Sequence, residues 1–193
     1  KLKEVTDIAI GRTPPRKEFH WFSTNPTDVK WASIKDLGTS GVFVYDTAEY
    51  LIQNAIHSFN IPVIPENTIL LSFKMTVGRV GITTEKMLSN EAIAHFVFTE
   101  KTPFCKEYLY FFLRIFKYEV LGSTSSIVTS INSRMIKEME ILIPDKNTMS
   151  KFEGIVRELF NKIKYNQQQI RTLEKLRDTL LPKLMSGEVC VKT

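Results

Sequence analysis

From Phe152 onward the apolar positions advance in strictly alternating steps of four and three: Phe152, Val156, Leu159, Ile163, Asn166, Ile170, Leu173, Arg177, Leu180 and Leu184. That spacing is the heptad seam of a helix that pairs with another helix. Asn166 and Arg177 break the apolar run, and polar residues at such positions fix register and orientation at some cost in stability. Ile155, Phe160, Leu176 and Leu181 widen the stripe, so a second protein surface is expected to dock beside the partner helix. The alternative, a helix folded back on its own domain, fits less well. About 30 residues at ~1.5 Å each run ~45 Å, longer than a domain of this size is wide. Pro182 is expected to kink or end the helix, and Gly187 to supply a left-handed stop. The helix is placed at 147–187, with 188–193 as a tail.

Residues 1–146 follow no single period and predict a mixed α/β domain. Runs rich in β-branched and aromatic residues at Val63–Phe73, Arg79–Thr83, Ala92–Thr99 and Met139–Ile143 are bounded by Pro62, Pro65, Gly78, Pro103 and Pro144, and predict the sheet. In the last run Met139, Ile141 and Ile143 alternate with Glu140 and Leu142, the pattern of a closing strand with one apolar face. Leu109, Phe112, Leu113 and Phe116 recur at helical spacing and predict a helix lying on that sheet; its aromatics are read as core rather than as a base-stacking platform.

Length and composition then bound the class. The 193 residues exceed one typical domain by about the length of the C-terminal helix, and 43% hydrophobic with 24% charged residues describes an ordinary folded protein. Two cysteines, Cys105 and Cys190, have no paired spacing for a disulfide framework or a zinc site, which favours a reducing, cytoplasmic setting. No apolar run approaches the ~18 residues of a membrane span, so no membrane partner is expected. The chain opens at Lys1 rather than Met, as expected of a trimmed or processed chain or of one half of something longer. The net charge of +5 is unevenly held: residues 1–150 carry 17 basic and 16 acidic side chains, and residues 151–193 carry 9 and 5. The first domain is nearly neutral, so any contact with an acidic polymer there rests on a few placed cations rather than on an overall field.

No enzymatic constellation stands out. His20, His57 and His95 lack metal-ligand spacing, and there is no GxSxG elbow, phosphate loop or GxGxxG turn. Asn25-Pro26-Thr27 begins like an adenine methyltransferase motif but lacks the aromatic that would stack on a flipped base. The chain is therefore expected to be non-catalytic and to hold no metal or cofactor.

Three polar clusters are more informative. Gly11–Lys17 is a proline-stiffened basic loop offering Arg12, Thr13 and Lys17 to phosphate or guanine. Lys74 and Arg79 flank a turn between two strands, where Gly78 lets the backbone approach a ligand; an ordinary hairpin with surface charge is the plain alternative. Gly122–Asn132 is hydroxyl-rich, with Ser125, Ser126, Thr129 and Asn132 as short-range donors and Arg134 following; its plain alternative is a solvated loop.

Taken in order, IGRTPP at Ile10–Pro15, VKWASIKDL at Val29–Leu37, IPENTILLSFKMTVGRVGI at Ile61–Ile82, SNEAIAHF at Ser89–Phe96 and LRDTLLPKLMSGEV at Leu176–Val189 resemble half of a type I restriction-modification specificity subunit. The resemblance implies an α/β target recognition domain that reads one half of a split sequence in double-stranded DNA, followed by a long spacer helix. That helix would pair antiparallel with a second specificity half or with a second copy. The partners it implies are modification (methyltransferase) and restriction subunits, on which S-adenosylmethionine, Mg and ATP are expected. One departure is NTMSK at Asn147–Lys151, where the family often carries a Gln-containing segment. The competing expectation is a coiled-coil structural adapter with a DNA-inert head.

Overall fold

The computed structural model describes residues 1–121 and 131–189, and divides the chain into two compact units at Gly154 and Ile155. In the first unit, the strands among the described residues are β1 (Asp7–Ile10), β2 (Phe22–Ser23), β3 (Val29–Ala32), β4 (Phe43–Val44), β5 (Glu49–Leu51), β6 (Ile69–Ser72), β7 (Val80–Thr83), β8 (Leu88–Ser89) and β9 (Ile93–Val97). The helices are α1 (Leu2–Val5), α2 (Ile34–Thr39), α3 (Gln53–Ser58), α4 (Lys106–Ile115), α5 (Ser133–Glu138) and α6 (Lys146–Met185), which runs on into the second unit. The strands form a five-stranded sheet of order β1-β9-β6-β7-β4 and a four-stranded sheet of order β2-β5-β3-β8.

The two sheets enclose a common core. Val44, Leu70 and Ile93 of the five-stranded sheet pack with Ala32 of the other sheet, and with Leu37, Ile64 and Met87. Gly81 faces this core, where an added Cβ would lie 2.7 Å from Val44 and 2.9 Å from Leu37; glycine here lets α2 settle onto the sheet. On the outer face of the four-stranded sheet, Trp31, Leu51 and Leu88 pack with Ala55 and Ile56 of α3. On the outer face of the five-stranded sheet, α4 packs on β6 and β7, with Leu109 and Leu113 fully buried. The layers run α3, small sheet, large sheet, α4. An α/β domain followed by a long helix is the fold class expected from the sequence, and the helix on the sheet is the one its apolar spacing predicted.

The closing strand is a correction. Among the described residues Met139–Ile143 pairs with no strand; Met139 is buried and its carbonyl accepts the Leu2 amide, but Leu142 is 77% exposed and Ile143 49%. Alternation supplies one apolar face, yet a strand also needs an edge to pair with, and here the segment serves instead as a strap over α1. The Pro182 expectation also shifts: the helix continues three residues past it to Met185, and Gly187 in the left-handed region (φ 75°) terminates it.

At the other end Asp145 caps α6, its carboxylate accepting the amides of Asn147 and Thr148 at 2.9 and 3.0 Å and the Thr148 hydroxyl at 2.6 Å. These bonds lower its pKa, with the Thr148 hydroxyl first. In the second unit Val156 is buried, and from Leu159 on the seam stands largely open on the helix itself. Leu159, Ile170, Leu173, Leu180 and Leu184 are all exposed, as are Ile155, Leu176 and Leu181 beside them.

A hydrogen bond ties the two sheets together. His95 of β9 faces the interior opposite Ser89 of β8, Nε2 to Oγ at 2.6 Å. Burial of the ring lowers its pKa from 6.5 to about 3. The unfolded chain takes up this proton near pH 6.5 and the folded chain does not, so stability is full above that pH and falls as acid is added. At ~1.4 kcal/mol per unit this amounts to about 2 kcal/mol at pH 5. Urea unfolding at pH 7 and pH 5 should show that loss, and His95→Asn should show a smaller difference between the two pH values than the parent.

Candidate nucleic-acid interface

The register places three loops at one end of the large sheet. β1 ends at Ile10 opposite Ala94, and Gly11 continues the ladder by donating to the Ile93 carbonyl at 3.1 Å. β6 ends at Ser72 opposite Ile93, and Phe73 donates to the Ala92 carbonyl at 2.9 Å. The loop after β1, the β6–β7 hairpin and the Ser89–Ala92 turn therefore emerge side by side.

The first loop is held from its backbone. An added Cβ on Gly11 would lie 2.2 Å from the Asn90 carbonyl and 2.2 Å from Ser89 Oγ, so only glycine permits this approach. The Arg12 amide donates to the Ser89 carbonyl at 2.9 Å, and the Arg12 carbonyl accepts from Trp31 Nε1 at 3.1 Å. With its backbone fixed, the Arg12 guanidinium donates to the Phe59 carbonyl at 3.0 Å and remains exposed. The Thr13 hydroxyl donates to Glu91, and Arg12, Thr13, Phe59 and Glu91 line an open hollow of about 340 Å³. Lys17 is exposed farther along. Arg16 is committed inward: its guanidinium pairs with Glu49 through two bonds of 2.7 and 2.9 Å and lies 4.3 Å over Phe22 and 4.7 Å over Trp31. The pairing lowers the Glu49 pKa and raises that of Arg16.

The hairpin is organised by buried Ser72, whose hydroxyl accepts the Arg79 amide at 3.1 Å and donates to the Thr76 carbonyl at 2.5 Å. Gly78, at φ 86°, returns its amide to the Ser72 carbonyl at 3.0 Å. This frame leaves Lys74, Met75 and Thr76 exposed at the tip. Arg79 is half-buried instead, and its guanidinium donates to the Ile34 carbonyl at 2.8 Å beneath α2. It still lines a groove with Arg114, Gly41 and Tyr110.

Asn132 and Arg134 lie elsewhere. Asn132 caps α5, accepting the Met135 amide at 3.0 Å, and Arg134 is exposed on that helix. α5 packs against α1, which precedes β1, away from the end where Arg12 sits. Ser125, Ser126 and Thr129 lie outside the described residues. Phe59, Met75, Glu91 and Arg114 join these loops and escaped the sequence pattern. Met75 and Glu91 fall inside the Ile61–Ile82 and Ser89–Phe96 stretches; for Phe59 and Arg114 no local signal exists, because their neighbours are distant in the chain. Among the described residues no cluster of His, Cys, Asp or Glu is placed to hold a metal ion. Nor is any helix there long and apolar enough to cross a membrane.

The family profile of the type I restriction modification DNA specificity domain matches residues 1–175. The chain belongs to that family. It is 27% identical to the specificity subunit of the type I restriction enzyme MjaIX of Methanocaldococcus jannaschii, a match that takes in 100% of this chain and 44% of that protein. It is likewise 27% identical to the HindI specificity subunit of Haemophilus influenzae, over 97% of this chain and 40% of that protein. This specificity-family chain thus spans less than half the length of the curated relatives it matches. In fold it is similar to the HsdS subunit of Thermoanaerobacter tengcongensis (TM-score 0.60, 14% identity, 98% of this chain and 44% of that one). It is also similar to the type I restriction-modification S subunit of M. genitalium (TM-score 0.63, 14% identity, 96% and 44%).

Two substitutions separate scaffold from surface in this family member. Gly11→Ala should cost about 2 to 3 kcal/mol, since the methyl can be admitted only by pushing two backbone segments apart. Arg79→Met should cost about 1 kcal/mol through loss of the bond to α2, while Lys74→Met at the open tip should leave stability within about 0.5 kcal/mol. Chemical unfolding of the three variants checks this ordering.

Proposed function

We propose that the chain reads one half of a bipartite double-stranded DNA target for a type I restriction-modification system and, through its long helix, joins the assembly that acts on that DNA. The observation that carries this reading is the emergence of the Arg12 loop and the Lys74 hairpin side by side at one end of the large sheet in a chain of the specificity family. In a domain with almost no net charge, cations concentrated on adjoining rigid loops give phosphate a defined place to bind. Arg12 and Thr13 lie where a base edge or phosphate meets the hollow, and Lys74 and Thr76 extend from the neighbouring hairpin.

The exposed seam of α6 supports helix pairing. A stripe of leucines and isoleucines standing open over many turns is stable in water only when covered, and a second specificity half or a second copy lying antiparallel matches its heptad spacing. Forty residues at ~1.5 Å give ~60 Å of helix, enough to separate two readers by more than one ~34 Å turn of DNA. Methylation and cleavage then fall to modification and restriction subunits, with S-adenosylmethionine, Mg and ATP held there, in the cytoplasm where the DNA is.

Binding of the assembled system to duplex DNA should weaken steeply with salt, and Lys74→Ala should reduce the slope of log K against log salt by about one phosphate contact. Lys137→Ala, beside Asp7 and Val97 at the opposite end of β1 and β9, should leave the slope unchanged. No binding at any salt would favour the adapter reading. For the helix, Leu159→Asp places a charge in the seam and should weaken association more than tenfold, read by sedimentation.

A further inference from the structure

Met75 is the most exposed large apolar side chain in the structure described, 95% open, at the tip of the β6–β7 hairpin. Its backbone lies in the left-handed region at φ 56°, a conformation that an unbranched non-glycine residue adopts at a cost of about 1 kcal/mol or more. Gly78 three positions on provides the one left-handed glycine the turn uses, and at 75 a glycine would satisfy the same geometry without strain. The base of the hairpin is tied down by several contacts. Ser72 is fully buried and bonds both to Thr76 and to Arg79, while Phe73 beneath it is 1% exposed and anchors the strand end. A strained, water-exposed methionine on a fixed hairpin is thus disfavoured twice over in the free protein, unless something apolar meets it in the bound one.

Its neighbours narrow what that is. Lys74 and Thr76 flank it, a cation and a hydroxyl suited to phosphate, and the Arg12 loop emerges beside the same hairpin. A hairpin is narrow enough to enter the major groove, and there the apolar feature that a side chain can meet is the C5 methyl of thymine. Resting on the DNA-reading function proposed above, we propose that Met75 is a specificity-determining residue that packs against a thymine methyl in the recognised half-site. Lys74 and Thr76 hold the backbone on either side and carry no sequence information.

The test uses the full chain in its assembled system, with two random-sequence duplex libraries as probes, one containing thymine and one with deoxyuracil in its place. The parent is expected to enrich sequences from the thymine library and to bind their deoxyuracil versions roughly tenfold more weakly. Met75→Gly should bind both versions alike, retain the parent's salt-dependent binding of unselected DNA, and unfold at the same or higher temperature because the strain is relieved. A parent indifferent to the methyl, or a Met75→Gly variant that keeps the full tenfold preference, overturns the Met75 assignment alone. A parent that binds neither library at any salt overturns the DNA-reading function, and this assignment with it.

Discussion

The contact on which the domain depends is the close approach of Gly11 to Ser89 and Asn90. There the two sheets meet: Ser89 ends β8 of the small sheet, the Asn90 amide donates to Ala32 of β3, and the Ala92–Ile93 segment begins β9 of the large one. β1 can pair with β9 and still send its following loop across the junction only because residue 11 has no Cβ. Backbone bonds to Ser89 and from Trp31 then fix Arg12, and the Ser89–His95 bond closes the junction from inside. The loops proposed to meet DNA stand on this join, so their geometry is set by backbone rather than by flexible side chains.

The same economy governs the charges. A single basic loop in the sequence resolves into two kinds of arginine. Arg16 is spent on the fold, stacked on Phe22 and Trp31 and paired with Glu49, whereas Arg12 keeps an open face. Arg79 also divides, holding α2 while lining a groove with Arg114. With the first domain nearly neutral overall, recognition must depend on where each cation stands, which suits a reader of one short sequence better than a general binder of nucleic acid.

Much of the fold was legible because its signals are local. The β-branched runs around Ile69–Ser72, Val80–Thr83 and Ile93–Val97 became the centre of the large sheet, and the spacing of Leu109 and Leu113 became α4. The heptad from Phe152 was visible for the same reason. Strands of two residues such as β2, β4 and β8 carry too little pattern to be seen, since they exist through their partners. Met139–Ile143 failed in the opposite way, having the pattern without an edge to join. At the candidate interface the cationic loops could be named from sequence, but the pairing of Arg16 with Glu49, 33 positions away, and the exposure of Met75 are tertiary facts.

The end of the large sheet bearing Arg12 and Lys74 is the one proposed to face the DNA. Photo-crosslinking tests it most directly, with a benzophenone side chain introduced singly at position 74 or at position 137 in the assembled system bound to duplex DNA. A DNA adduct is expected from position 74 and none from position 137. An adduct from 137 alone would place the DNA at the opposite end of the sheet and contradict it.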